Sequence, residues 1–397
     1  MKMKRRGLIL LLCLLFGILC CSCGRSETAD TSEAPTAEST AIPANMSTTS
    51  AGTTQQAESE MQVVQSDLVP SGGLDFKSNA DGTCTLAGIG ICKDTDLVIP
   101  GKSPDGEVVS RIEESAFWSL EDINSVTLLN MTCVVEERAF QYGEFTRIAL
   151  LGGDLTIEGS AYSSCEDVTE ITVQNCTLKA EEYAFFSCGN DAAAEFTGVK
   201  GELGERAFQY AELAALTFNG CTMTIQESAF SSCEDLTSVS FLNSTLQMDE
   251  YAFFGCGDKA EVHVQNCTTQ MDDRAFQYSS LTSLTVQGGS VRMGDSVFSS
   301  CEDLLKIEMS CEKISLGEYA FFSCEDLTTV SLGKNKAEVE IDDRAFQYCE
   351  ALQNVSVQGR TVSIGKYVFS GGDDAMTITV SGKTYSPQML EDGMKTQ

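Results

Sequence analysis

The chain is 397 residues long and carries 26 Lys plus Arg against 58 Asp plus Glu, a formal net charge of −32. That balance excludes nucleic acid and anionic lipid headgroups as partners, because both would repel it. A basic partner is compatible with it, as is simple solubility of an exposed secreted surface.

Residues 1–22 read as a signal peptide. Lys2, Lys4, Arg5 and Arg6 form a basic leader. The apolar run from Leu8 to Leu19 has the length of a signal core and is too short to span a bilayer. It ends in Cys20-Cys21-Ser22-Cys23-Gly24, a succession that resembles a bacterial lipoprotein signal, where cleavage precedes a cysteine that then carries lipid. The resemblance implies Cys23 as the modified residue. Cys21 is the alternative, since Cys20 and Cys21 stand where that signal usually has Leu and a small or branched residue. Loss of residues 1–22 leaves 22 basic against 58 acidic side chains, a balance of −36. The expected location is extracytoplasmic, at the cell surface, with the membrane touched only through the N-terminal lipid. Residues 23–71 are rich in Ser, Thr, Ala and Glu. Such a segment buries too little apolar surface to offset its ordering entropy and is expected to be a disordered tether.

Residues 72–104 are expected to form a β-hairpin cap, residues 105–385 a repeat array, and residues 386–397 a tail. The array shows itself in one aromatic column: Phe117, Phe140, Tyr162, Phe185, Phe208, Phe230, Phe253, Phe276, Phe298, Phe321, Phe346 and Phe369. Ten of the eleven intervals are 22 or 23 residues and one is 25. A period of 20–29 residues is that of a leucine-rich-repeat solenoid, whose coils bury their apolar faces only by stacking. In Glu227–Gln247 the residues Leu236, Val239 and Phe241 follow the L-x-x-V-x-F spacing of its strand, with alternate side chains inward. The Ser-Ala-Phe-Ser-Ser-Cys segment is predicted to make one helical or 3₁₀ turn. Proline is absent from Gly106 to Ser386, as strands paired on both sides require. Twelve coils spaced about 4.8 Å apart extend on the order of 55–60 Å.

A longer rhythm overlies the short one. SAFSSCEDL, EYAFFGC and DRAFQY alternate, so that Tyr162, Phe230 and Phe298 stand 68 residues apart. We read this block as a record of duplication, with a three-coil surface motif as the alternative.

The pattern I-x-x-x-A-F-x-x-C-x-x-L-x-x-V-x-I resembles the bacterial surface leucine-rich repeats named after the BspA adhesins. The lead-in from Asp81 to Phe117 is similar to the usual start of that family. The resemblance implies a right-handed, mainly β leucine-rich-repeat solenoid that acts as a surface-displayed binding protein. It also implies protein partners in host matrix, on host cells or on other bacteria. A monomer is expected. A purely structural envelope role and a secreted enzyme are the competing readings; the second is disfavoured because no coil carries an insertion large enough for a pocket.

No residue is assigned a catalytic, metal-binding or cofactor-binding role. One cysteine column lies three residues after the aromatic, at Cys165, Cys188, Cys233, Cys256, Cys301, Cys324 and Cys349. It is expected to be a ladder of buried thiols. Cys84 and Cys92 are the pair expected to bond. His263 is the single histidine, and one exposed histidine is poor ground for nucleophilic catalysis. The candidate binding face is the outward row of the strands: Thr172, Thr217, Ser240, His263, Thr285, Glu308, Ser331 and Ser356.

Overall fold

The computed structural model describes residues 68–396. The expected signal peptide, Cys21, Cys23 and most of the tether lie outside them. The described chain is a β-solenoid of about 13 turns. Two parallel ladders run its length. The front ladder begins at Asp96–Pro100 and ends at Thr377–Val380, while the back ladder begins at Thr83–Gly88 and ends at Thr361–Ile364. In three coils one unbroken strand serves both ladders, at Ser125–Val135, Arg147–Ile157 and Glu170–Ala180.

Inward residues of each coil meet as the spacing implies. Phe230, Cys233, Leu236, Val239 and Phe241 are all buried. The twelve aromatics form one stack, with centroid separations of 4.6–5.8 Å and interplanar angles of 0–15°. Strand spacing dictates this near-parallel arrangement, because equivalent atoms of successive coils lie about 4.8 Å apart.

The chain passes from front to back ladder through a left-handed corner. Asn130, Asn175, Asn243 and Asn266 hold it with φ of 50–54°, and Gly152, Gly198, Gly220 and Gly288 with φ of 65–72°. Asn and Gly are the residues that adopt this region at least cost. At the next position Gly289, with φ +65°, admits no side chain: a Cβ there would lie 1.9 Å from the Cys267 carbonyl oxygen.

Three sequence expectations need correction. The aromatic segment is not a helical turn. Ser228 and Ser232 flank Phe230 with φ of 57° and 58°, so a left-handed residue on either side interrupts any helix. Its hydrogen bonds are of two kinds in alternation: the N–H groups of Ser228, Phe230 and Ser232 donate to the carbonyls of Glu250, Ala252 and Phe254 in the next coil at 3.3, 2.7 and 2.9 Å, while those of Ala229, Ser231 and Cys233 close single turns onto Gln226, Ser228 and Phe230 at 3.1, 3.0 and 3.4 Å. The lead-in is more than a cap, because Thr83–Gly88 and Asp96–Pro100 already belong to the ladders, while Asp75–Ser78 folds back antiparallel on Thr83–Gly88. The last residues are not a loose tail. Lys383–Tyr385 and Met394–Thr396 add antiparallel strands to the two ladder ends, and Leu390 is buried. Unpaired ladder ends demand such cover.

Candidate functional site

The front ladder brings the predicted row together. Thr172 pairs in register with Glu195, Glu195 with Thr217, and Thr217 with Ser240. The register continues through His263, Thr285, Glu308, Ser331 and Ser356. These residues face outward because their neighbours on either side, such as Val239 and Phe241, fill the core. The row is thus an unbroken polar strip, one residue wide per coil. Glu308 in this row pairs with Lys306 at 2.8 Å. His263 Nε2 lies 3.3 Å from Glu261 Oε2, with both side chains well exposed.

The strip does not extend unchanged to the first coils. There Val98, Leu129 and Leu151 form a small apolar patch on the outer face, packed by Leu68 and Ala149. Ser71 ties this covering segment to the edge: its N–H donates to the Val98 carbonyl at 2.9 Å, and Val98 N–H donates to Ser71 Oγ at 3.1 Å. The open polar face therefore begins near Thr172.

The cysteine column has a structural task. Cys165, Cys233, Cys301, Cys324 and Cys349 each donate from Sγ to the carbonyl of the preceding coil's aromatic residue at 3.2 Å. Where the column has a serine, Ser279 Oγ does the same to Phe253 at 2.8 Å. Burial pushes the Cys301 thiol up to about 12 and raises Cys233 and Cys324 in the same direction, so these three thiols stay protonated near neutral pH. The bond expected between Cys84 and Cys92 is not formed, as both are free thiols. Cys84 points into the core from its strand, with Sγ 3.7 Å from the Glu107 carbonyl, whereas Cys92 lies past the strand end in the following turn.

A second exposed feature was not read from the sequence as a site. On the edge formed by the aromatic turns, Trp118, Tyr142, Tyr210, Tyr278 and Tyr348 are exposed. Tyr183 packs edge-on to Phe186 at 5.4 Å, and Phe186 packs edge-on to Tyr210 at 5.7 Å. The same trio recurs as Tyr251, Phe254 and Tyr278, and again as Tyr319, Phe322 and Tyr348. The period-68 block was the available signal, since it alone places these rings on adjacent coils.

The family described as BspA type leucine-rich repeat region, 6 copies, matches residues 104–213, 201–328 and 292–387. No curated protein matches the chain significantly. Among solved structures, a leucine-rich repeat protein from Bacteroides ovatus is similar at 19% identity, covering 77% of this chain and 92% of that one, with a TM-score of 0.34. The T. pallidum leucine-rich repeat protein is similar at 16% identity over 65% of this chain and 90% of that one, with a TM-score of 0.30. A leucine-rich cell surface protein from Faecalibacterium prausnitzii is similar at 19% identity over 74% and 96%, with a TM-score of 0.21.

Proposed function

This chain belongs to the BspA-type leucine-rich-repeat family, and from that premise we propose that it is a cell-surface binding protein, an adhesin or interaction scaffold without chemistry of its own. Its partners are proteins of host matrix, host cells or other bacteria. The observation that carries the reading is the continuous front row from Thr172 to Ser356, set in register strand by strand. A row of short hydroxyl side chains on a paired sheet is rigid and loses little side-chain entropy when a partner covers it. We further propose that lipid on Cys23, with Cys21 as the alternative, holds the protein outside the membrane on the tether of residues 23–71. Two or more acyl chains anchor firmly where one does not.

The test is saturable binding of cells displaying the full chain to a panel of purified matrix proteins and bacterial surface proteins. Wild-type cells should retain one of them. Thr217→Gln, Ser240→Gln and Ser331→Gln together, which add bulk without charge, should abolish retention, and Cys23→Ala should move the protein off the cell. Retention of nothing on either panel, with the protein still displayed, favours a structural envelope role instead. Retention unaffected by the triple variant refutes the front face as the site.

A further inference from the structure

The exposed aromatic edge carries a second inference. We propose that it is a docking ridge for an extended, arginine- or lysine-rich polypeptide, with Tyr210, Tyr278 and Tyr348 as the stacking faces for its cations. The proposal rests on the reading that this chain is a protein-binding scaffold, but places a different partner class on a different face.

The chain contains an internal example of the recognition. Arg206 lies over the Tyr183 ring with Cζ 5.9 Å from the centroid, and it pairs with Glu182 at 3.4 Å and with Glu205. Arg274 repeats this over Tyr251 at 5.8 Å with Glu250 at 2.6 Å, and Arg344 over Tyr319 at 5.6 Å with Glu318 at 2.7 Å. A guanidinium between a tyrosine face and a carboxylate is thus a stable arrangement on this edge, since the ring quadrupole and the charge act together.

The outer tyrosine of each trio carries no cation over its ring among the described residues. Tyr210, Tyr278 and Tyr348 are 52%, 58% and 47% exposed. In the next coil their position is held by Ser232, Ser300 or Gly371, none of which carries a ring or a charge. That same coil supplies an acidic pair: Glu234–Asp235, Glu302–Asp303 or Asp373–Asp374. Ser280, two residues past Tyr278, donates to Asp303 Oδ2 at 2.7 Å, which shows how closely the pair flanks the tyrosine coil. None of these six carboxylates is ion-paired among the described residues. Aromatic faces beside uncompensated carboxylates, on a chain of net charge −32, select a cation and disfavour a second copy of this chain, which would repel it.

The spacing defines the partner further. Three coils separate successive tyrosines, which is about 14 Å, and an extended peptide covers that distance in about four residues. The ridge therefore suits cations at every fourth residue of an extended strand.

The experiment uses the full chain and a synthetic peptide of about 16 residues with Arg at every fourth position and Gly or Ser between. A peptide with Glu for Arg and a neutral β-linked glucose tetramer are the comparison probes. The test variant is Tyr210→Ser, Tyr278→Ser and Tyr348→Ser combined, which places the residue already present at φ 58° in Ser232 and Ser300 and so preserves the coil. The arginine peptide should bind the wild type and lose at least about ten-fold in affinity in this variant. Thr217→Gln, Ser240→Gln and Ser331→Gln on the front face should leave that affinity unchanged. Undiminished binding to the tyrosine variant would reduce the interaction to diffuse charge and overturn the proposal. Preference for the sugar or the Glu peptide, or no binding of the arginine peptide by wild type, overturns it also. Loss only in the front-face variant overturns it while leaving the scaffold reading intact.

Discussion

Tyr162 is the one member of the aromatic column that carries a hydroxyl. It is fully buried between Phe140 and Phe185, at 4.8 and 5.1 Å, and its hydroxyl has no hydrogen-bond partner among the described residues. Desolvation drives its pKa well above 10.0, so the group stays neutral, yet it still forgoes the bonds it would make with water. Tyr162→Phe should therefore stabilise the protein, by about 1 kcal/mol, read as a higher denaturant midpoint with unchanged slope. An unchanged or lower midpoint would show that the hydroxyl is satisfied after all. The column itself was legible in the sequence because one aromatic per coil leaves an interval that nothing else produces. The left-handed corner is far less legible. Its signal is only an Asn or Gly at one offset, as in Asn219-Gly220 and Asn243-Ser244, and the same residues mark turns of many kinds.

At the scale of one coil, strand and turn differ in how far sequence foretells them. The strands follow from alternation, since Val239 and Phe241 point inward and Ser240 outward. The candidate front row followed from that same alternation. The turn resisted because Ser228, Tyr251 and Arg274 all adopt φ near 60° at the same place in successive coils, and none of these residue types favours it. The conformation is imposed by the neighbours: each turn hands alternate N–H groups to the next coil's carbonyls, so a strained coil is held by two others. The aromatic ridge was hidden for a related reason, because its rings meet only after coils stack. Phe253, stacked on Phe230 at 5.0 Å and Phe276 at 4.6 Å, ties three such turns together. Phe253→Ala should cost about 3–5 kcal/mol. The loss should appear in native-state hydrogen exchange as faster opening of the adjacent coils, with the terminal coils spared, because contacts reach only nearest neighbours. Uniform acceleration along the whole array would instead indicate one cooperative unit.

For the whole molecule, repetition copies liabilities as faithfully as contacts. A carboxylate duplicated from coil to coil stands near its own copy, and like charges on neighbouring strands destabilise. Asp249 and Asp342 both sit above the ordinary aspartate value of 3.8, chiefly through burial, with Asp272 adding repulsion at the first, and Glu340 and Asp295 among those adding it at the second. Glu158 is raised above 4.5 for the same leading reason, with Glu181 contributing. The sign follows from linkage: a folded pKa above the unfolded one means that the folded state holds its proton more tightly. Below the ordinary value both states are protonated and nothing is lost. As pH climbs from there through the raised folded value, the unfolded chain ionises first and stability falls; above it the full penalty persists. Asp81 acts oppositely, being lowered by its bonds to Thr83, but it lies on the exposed hairpin turn, where solvent screens it. The acidic balance of the chain works in the same direction as the raised groups. The thermal midpoint should therefore rise as pH is lowered from 7 into the range where these raised carboxyls take up their protons, and at pH 7 added salt should raise it as well by screening the stacked acids. A midpoint that drops on this mild acidification would mean that paired carboxylates, such as Glu250 and Glu318 with their arginines, outweigh the crowded ones. The solenoid's ion pairs, rather than its repulsions, would then set its stability.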